Sequence, residues 1–397
     1  MFAEKYLQKD NRKALIDVQP KTECEIIVVI PCFREPDILQ TLESVLHCEF
    51  PKSNVEVIIL INHSETEDEK TKSYNLETKR KIENWISESS NPKIDFYAVG
   101  PVELQKKWAG AGLARKSGMD EAVRRFDLLE KPNGIIVSLD ADTLVEKNYF
   151  VEIENYFTRN PKHVGATIAF QHQTEELESK HLEGIRLYEK YMNYYKMALE
   201  YVGYPYPMFT VGSAFVVKAG AYVKRGGMNR RQAGEDFYFL QNLVQVGIVG
   251  EIKSTKVFPS ARISDRVPFG TGPILQKWMK GEEDLTRTYN FKAFMDLKSL
   301  FNVKHNFYKT EKKLFDEIIN TLPESVQRFI EEDHFWDEVS DLNKNCSTSD
   351  SFQSRFFHKF NAFKILKFLN FAHGQFYAKE DLETQFQTLN NLSKIRH

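Results

Sequence analysis

A chain of 397 residues with 42% apolar and 28% charged side chains has an ordinary globular composition, long enough for one large domain with an appendage or for two domains. Its 54 basic and 56 acidic residues leave a net charge of −2, which excludes a global pull toward nucleic acid and makes any electrostatic steering local. Four cysteines without C-x-x-C spacing exclude a zinc ribbon and a disulfide framework, and no apolar window is long enough for a signal peptide or a membrane span; a cytoplasmic protein is expected.

Residues 1–24 are polar and mixed, and read as a short helix or arm. Glu25–Pro31 (E-I-I-V-V-I-P) is a buried strand by its β-branched run. A helix from about Asp37 to His47 follows, with Ile38, Leu42, Val45 and Leu46 on one stripe and Pro36 at its start. Val55–Ile61 is the second strand, a polar helix covers about Glu67 to Ser89, and Lys93–Val99 is the third strand. Gly110 and Gly112 open a helix to about Phe126, and Ile135–Leu139 is the fourth strand. Strands and helices alternating at this pace predict a mostly parallel sheet flanked by helices, with right-handed crossovers bringing the ends of the first, second and fourth strands to one edge.

The fourth strand stops at Asp140 and Asp142. Residues i and i+2 of a strand share a face, so the two carboxylates point to one place at the carboxyl end of the sheet, where open α/β folds put their ligands. Two carboxylates so close repel each other unless a cation joins them or one takes a proton. A hard divalent metal, Mn²⁺ or Mg²⁺, carrying a phosphate-bearing substrate resolves that repulsion.

Beyond Asp142 come a helix from about Lys147, a strand Val164–Phe170, and a long helix from about Glu175 to Val202. This helix carries Tyr188, Tyr191, Tyr194, Tyr195 and Tyr201, a stripe expected to pack in a core rather than to serve as a sugar platform. Phe209–Val217 reads as a strand interrupted at Gly212-Ser213, Gly234-Glu235-Asp236 opens a helix, and Lys253–Gly272 reads as loop-rich. Helices with aromatic faces fill the rest. The expected division is an arm at 1–24, a domain at 25–281 and a helical C-terminal extension at 282–397.

The order of motifs is P-C-F-R-E after the first strand, G-x-x-x-R opening a helix, strand–D-A-D, T-V-G-S-A-F-V-V-K, G-G-M, and G-E-D-F-Y-F. From about residue 26 to 250 this order resembles family 2 glycosyltransferases of the GT-A fold. The resemblance implies transfer of a sugar from a nucleoside diphosphate donor, UDP- or GDP-linked, to the hydroxyl of a glycan, lipid-linked or small-molecule acceptor. It implies that Pro31, Phe33 and Glu35 line the nucleotide, that Asp140 approaches ribose and metal, that Asp142 is the metal ligand, and that Asp236 is the catalytic base beside Glu235. Asn62 stands where many members carry an acid that reads the base, which leaves uracil and guanine open. Arg115 at a helix start, and Arg262 and Arg266 in place of a histidine, suit the diphosphate. Gly212 and Ser213 border the acceptor side, with Trp278 as a further wall. A pyrophosphorylase would need a glycine-rich phosphate loop after the first strand, which P-C-F-R-E-P-D lacks. A non-catalytic binding module would have no need of a base. The basic, apolar stretch Arg355–Ala372 has two destinations, packing or peripheral contact with the inner face of an anionic membrane.

Overall fold

The computed structural model describes residues 1–9, 14–230, 234–264 and 270–394. Two compact units share the chain: the first takes Met1–Leu177 and Thr210–Gln276, the second Glu178–Phe209 and Lys277–His397.

The first unit is an α/β sheet. Its strands are β1 Cys24–Cys32, β2 Asn54–Ser64, β3 Ile94–Leu104, β4 Ile135–Ser138, β5 Leu144–Val145, β6 His163–Phe170, β7 Phe215–Lys218 and β8 Ile248–Phe258. They are hydrogen-bonded in the order β3-β2-β1-β4-β7-β6-β8-β5. β1, β2, β3, β4, β6 and β8 run one way; β5 and β7 run the other. β1 and β2 are buried along almost their whole length, as expected of central strands covered on both faces. This is the mostly parallel sheet with flanking helices that the sequence predicted.

The helix Ala111–Leu128 lies so close on β1 that a Cβ at Gly118 would sit 2.4 Å from a methyl of Val29. The same helix anchors the amino-terminal arm. Arg125 is fully buried in a two-pronged pair with Glu56 of β2 (2.5 and 2.7 Å) and donates to the carbonyl of Val18 at 2.7 Å. Arg124 holds the Ile16 carbonyl and Asp127 accepts from the Ala3 amide, both at 2.8 Å.

Three expectations are corrected. β7 begins at Phe215, not Phe209, because a turn from the Val211 carbonyl to the Ala214 amide (2.9 Å) replaces the ladder there. Residues 253–258 belong to β8 rather than to a loop; only Ile252, Thr255 and Val257 of that strand are buried, so its sequence shows little apolar run. β3 continues past Val99 to Leu104.

The second unit is helical, with a two-stranded ribbon of β9 Arg287–Thr288 and β10 Glu380–Asp381. The tyrosine stripe of the helix Ser179–Tyr201 packs within it. Tyr194 and Tyr195 meet Phe294 edge-on, Tyr201 meets Phe291, and the Tyr194 hydroxyl donates to the Tyr289 carbonyl at 2.8 Å. Several apolar residues of the 355–372 stretch, among them Phe356, Phe360, Ile365, Phe368 and Leu369, are buried in this unit. Among the described residues no helix is long and apolar enough to cross a membrane, and all four cysteines are free and buried.

Candidate active site at the carboxyl edge of the sheet

All the side chains described in this site belong to the first unit. β4 ends at Ser138, and the D-A-D backbone turns immediately, the Thr143 amide donating to the Asp140 carbonyl at 3.2 Å. Two side chains clamp this turn. Thr41 donates to the Ala141 carbonyl at 2.9 Å, and Gln173 donates to the carbonyls of Asp142 (3.0 Å) and Phe258 (2.7 Å). The acids are thus presented from a fixed backbone.

Arg115 is the hub of the inner half. It lies in the first turns of the helix Ala111–Leu128 and is only 3% exposed. Its guanidinium donates to Asp140 at 2.8 Å, to Ser138 Oγ at 2.7 Å, to the Gly212 carbonyl at 3.1 Å and to Glu235 at 3.2 Å. Ser138 also donates to the Gly212 carbonyl, at 2.6 Å. Arg115 was expected to meet a phosphate; its donors are instead spent inside the protein. Glu235, buried and joined to Arg115, is a structural acid in this arrangement. A Cβ on Gly212 would stand 2.8 Å from Arg115 Nη2 and 3.4 Å from Asp140. Gly212→Ala is therefore expected to push the guanidinium off Asp140 and to destabilise the protein by ~1–3 kcal/mol, the usual cost of overpacking. Chemical denaturation measures this, and an unchanged midpoint would refute the close approach.

The outer half is built on Arg262, which follows β8. Its two terminal nitrogens take both oxygens of Glu35, one at 2.6 Å, and Nη2 also donates to Asp142 Oδ2 at 2.9 Å. Glu35 is buried in the turn after β1 and accepts from the Asp37 amide at 3.2 Å. Burial raises its pKa, and Arg262 opposes that. Asp142 is a quarter exposed, and burial together with the Asp140 carboxylate pushes it up to about 7 against the pull of Arg262.

Asp236 leads the helix Glu235–Leu243, which starts at Gly234 with φ +68°. Among the described residues its carboxylate accepts one hydrogen bond, from the Phe237 amide at 2.7 Å. Burial and the neighbouring Glu235 push it up to about 7, with Arg115 pulling the other way.

The remaining expected residues fall as follows. Pro31 lies in β1 opposite Leu60, and Phe33 follows that strand, partly exposed. Asn62 is buried and its amide nitrogen is spent on the carbonyls of Cys32 (3.0 Å) and Leu60 (3.3 Å), which leaves only its side-chain oxygen to meet a base. Ser213 is fully buried, so as it stands it borders no open acceptor surface. Trp278 lies in the second unit, where its indole donates to the Lys180 carbonyl at 2.9 Å. Arg266 lies outside the described residues. The sequence reading did not single out Thr41, Gln173, Ser138 or Asn75. Asn75 holds the turn after β1 by accepting from the Arg34 amide at 3.1 Å and donating to the Asn62 carbonyl at 2.9 Å. Thr41, Gln173 and Asn75 lie in no motif quoted above, and Ser138 lies in the strand before D-A-D.

Among the described residues no group of three or more His, Cys, Asp or Glu side chains forms a closed metal site. An open site fits better. Among the described residues Asp140 and Asp142 each keep one oxygen that no arginine takes; burial first and the Asp140 carboxylate second raise Asp142, and a cation would relieve the second of these. Mg²⁺-like ions are commonly held by one or two carboxylates plus substrate phosphates.

The acid pair that follows β4 thus stands beside a helix that opens on two further acids, Glu235 and Asp236. Residues 135–301 match the family model described as glycosyl transferase family group 2, a span that takes in the D-A-D strand, Glu235, Asp236 and Arg262. No curated protein matches the chain. Solved structures similar to it include residues 1–349 of TarS from S. aureus in complex with UDP-GlcNAc, at 10% identity and TM-score 0.42, covering 84% of this chain and 91% of that one. Another is the mannosyltransferase PcManGT from Pyrobaculum calidifontis in complex with GDP-Man and Mn²⁺, at 12% identity and TM-score 0.39, covering 86% of this chain and 94% of that one.

Proposed function

We propose that this protein is a glycosyltransferase that moves a sugar from a UDP- or GDP-linked donor to an acceptor hydroxyl by a single inverting displacement, with Asp236 as general base. The observation that carries the reading is the state of Asp236. It is a carboxylate without a cationic hydrogen-bond partner among the described residues, half-buried at a helix start and raised to about 7. A base with that pKa is about half ionised at neutral pH and basic enough to take a proton from an attacking hydroxyl. Glu235, one residue away, is held by Arg115 and is not free to do so.

Asp142, with Asp140 beside it, would hold a divalent cation through the oxygens left by the arginines. Such a cation supplies Lewis-acid neutralisation of the diphosphate leaving group. The protein's own part is to keep the D-A-D backbone fixed through Thr41 and Gln173 and to hold Asp140 against Arg115. The end of β1 at Pro31 and the turn that follows it, with Phe33 and Glu35, lie next to β4 in the sheet and would support the nucleotide end of the donor. The carboxylate of Asp236 then receives the acceptor proton.

Asp142→Ala is expected to remove Mn²⁺-dependent binding of UDP or GDP while the fold survives, since the side chain stands at the surface and ends no ladder. Calorimetric titration of both nucleotides with Mn²⁺, in the wild type and the variant, measures it. Equal affinity in the two proteins would remove Asp142 from the donor site. Donor hydrolysis with and without chelator separates an enzyme from a binding module.

A further inference from the structure

The two arginines of the site are held in different ways. Arg115 is enclosed, and its hydrogen bonds go to four different residues, one of them a backbone carbonyl. Arg262 is about a quarter exposed, and among the described residues its guanidinium is held by carboxylates alone: two bonds to Glu35, one to Asp142, and Asp37 at 3.9 Å. Among the described residues its Nε is buried without a hydrogen-bond partner. A buried N–H left unpaired marks an arrangement that is not the best this guanidinium can reach. Three segments far apart in sequence, following β1, β4 and β8, meet on this one cation.

We infer that Arg262 is an exchangeable internal counter-ion of the D-A-D acids. With no donor present it occupies Asp142, and a divalent cation must compete with it there. When the donor arrives, its diphosphate offers the guanidinium another anionic partner with fork geometry, and Asp142 passes from the arginine to the cation. This rests on the donor reading given above, but its metal half stands apart from it. The reason is electrostatic. A cation on Asp142 and a guanidinium on the same carboxylate repel each other and share its lone pairs, so each weakens the other. The coupling is reciprocal: whatever removes Arg262 from Asp142 raises the affinity of the acid for a metal. A diphosphate, bearing more charge than one carboxylate and accepting in the bidentate way that guanidinium favours, is the partner for the released arginine. The exchange would keep free metal weakly bound and make cation and nucleotide bind together.

The test is Mn²⁺ titration by calorimetry, without nucleotide, on the wild type, Arg262→Gln and the double variant Glu35→Gln/Arg262→Gln. The double variant avoids leaving Glu35 as a buried unpaired charge or as a new metal ligand, and thermal melts confirm that each protein is folded. Mn²⁺ affinity is expected to rise by at least ~5-fold in both variants, the lower end of ordinary site-to-site coupling. Adding Asp142→Asn should abolish the gain. In a second arm, UDP and GDP are titrated in the presence of chelator, where Arg262→Gln should bind more weakly than wild type. A simple structural role for Arg262 would lower both affinities together. Unchanged or weaker Mn²⁺ binding in the double variant overturns the counter-ion role, and unchanged nucleotide binding in chelator overturns the exchange. If the wild type binds neither nucleotide with or without Mn²⁺, the donor reading fails, and the metal titrations alone support or overturn the counter-ion.

Discussion

Asp236→Asn is expected to cut sugar transfer by ~10²–10⁴-fold while leaving donor affinity nearly unchanged, because the amide keeps the shape of the carboxylate and loses its basicity. The wild-type rate should rise with pH through about 7, where the carboxylate loses its proton, and this limb should vanish in the variant. Stability should move the opposite way. A carboxyl group whose folded pKa lies above its unfolded value binds more protons in the native state between the two, so raising pH through that window destabilises the fold. Asp236→Asn removes this penalty. At pH 8 the variant should melt no lower than wild type, and the comparison should shift in favour of wild type as the pH falls toward 4. A single displacement also predicts a product anomer opposite to the donor, readable by NMR on the first product. Near-wild-type turnover in Asp236→Asn, or retained configuration, would remove the proposed base.

Arg115→Met should destabilise the protein by ~3–5 kcal/mol, since it leaves Glu235 and Asp140 as acids facing each other without the cation they share. Arg115→Lys restores the charge but not the fork, and should recover only part of that loss. Removing the buried acid too, as Arg115→Met/Glu235→Gln, should recover part of it by another route, because no uncompensated charge remains at Glu235. Urea unfolding of the three variants decides the matter. A loss below about 1 kcal/mol for Arg115→Met would mean that the hub carries little of the site's stability.

Much of the sheet was legible because its central strands announce themselves. The β-branched runs of β1, β2 and β4 need burial on both faces, and no other element uses such a run so well. β8 was less legible because Lys253, Ser254 and Lys256 interrupt its apolar pattern; its place is fixed by pairing with β6 and β5. Phe209–Ala214 misled for the converse reason. Its residues suit a strand, but the Gly212 carbonyl is taken by Arg115 and Ser138 instead of a ladder partner. The acids of the site could be named from their positions after strand and before helix. Their partners could not. Arg115 lies 120 residues from Glu235, and Arg262 lies 227 residues from Glu35, with nothing local to mark either pair. Glu235, expected beside the base, and Arg115, expected at a phosphate, are found hydrogen-bonded to each other.

The path of the chain through its two units sets an order of assembly. β7 lies near the middle of the sheet, between β4 and β6, yet it is made only after Glu178–Phe209 has been contributed to the other unit. β8 is later still. A nascent chain emerging as far as residue 200 therefore has β4 and β6 without the strand that joins them, each presenting unpaired backbone groups where β7 will sit. Open edges of that kind invite pairing with other chains. Growth past Lys218 closes them. Fragments ending between residues 180 and 215 should consequently aggregate or engage chaperones far more than fragments ending just beyond Gln276. The synthesis of this protein then has a vulnerable interval whose end is set by a four-residue strand.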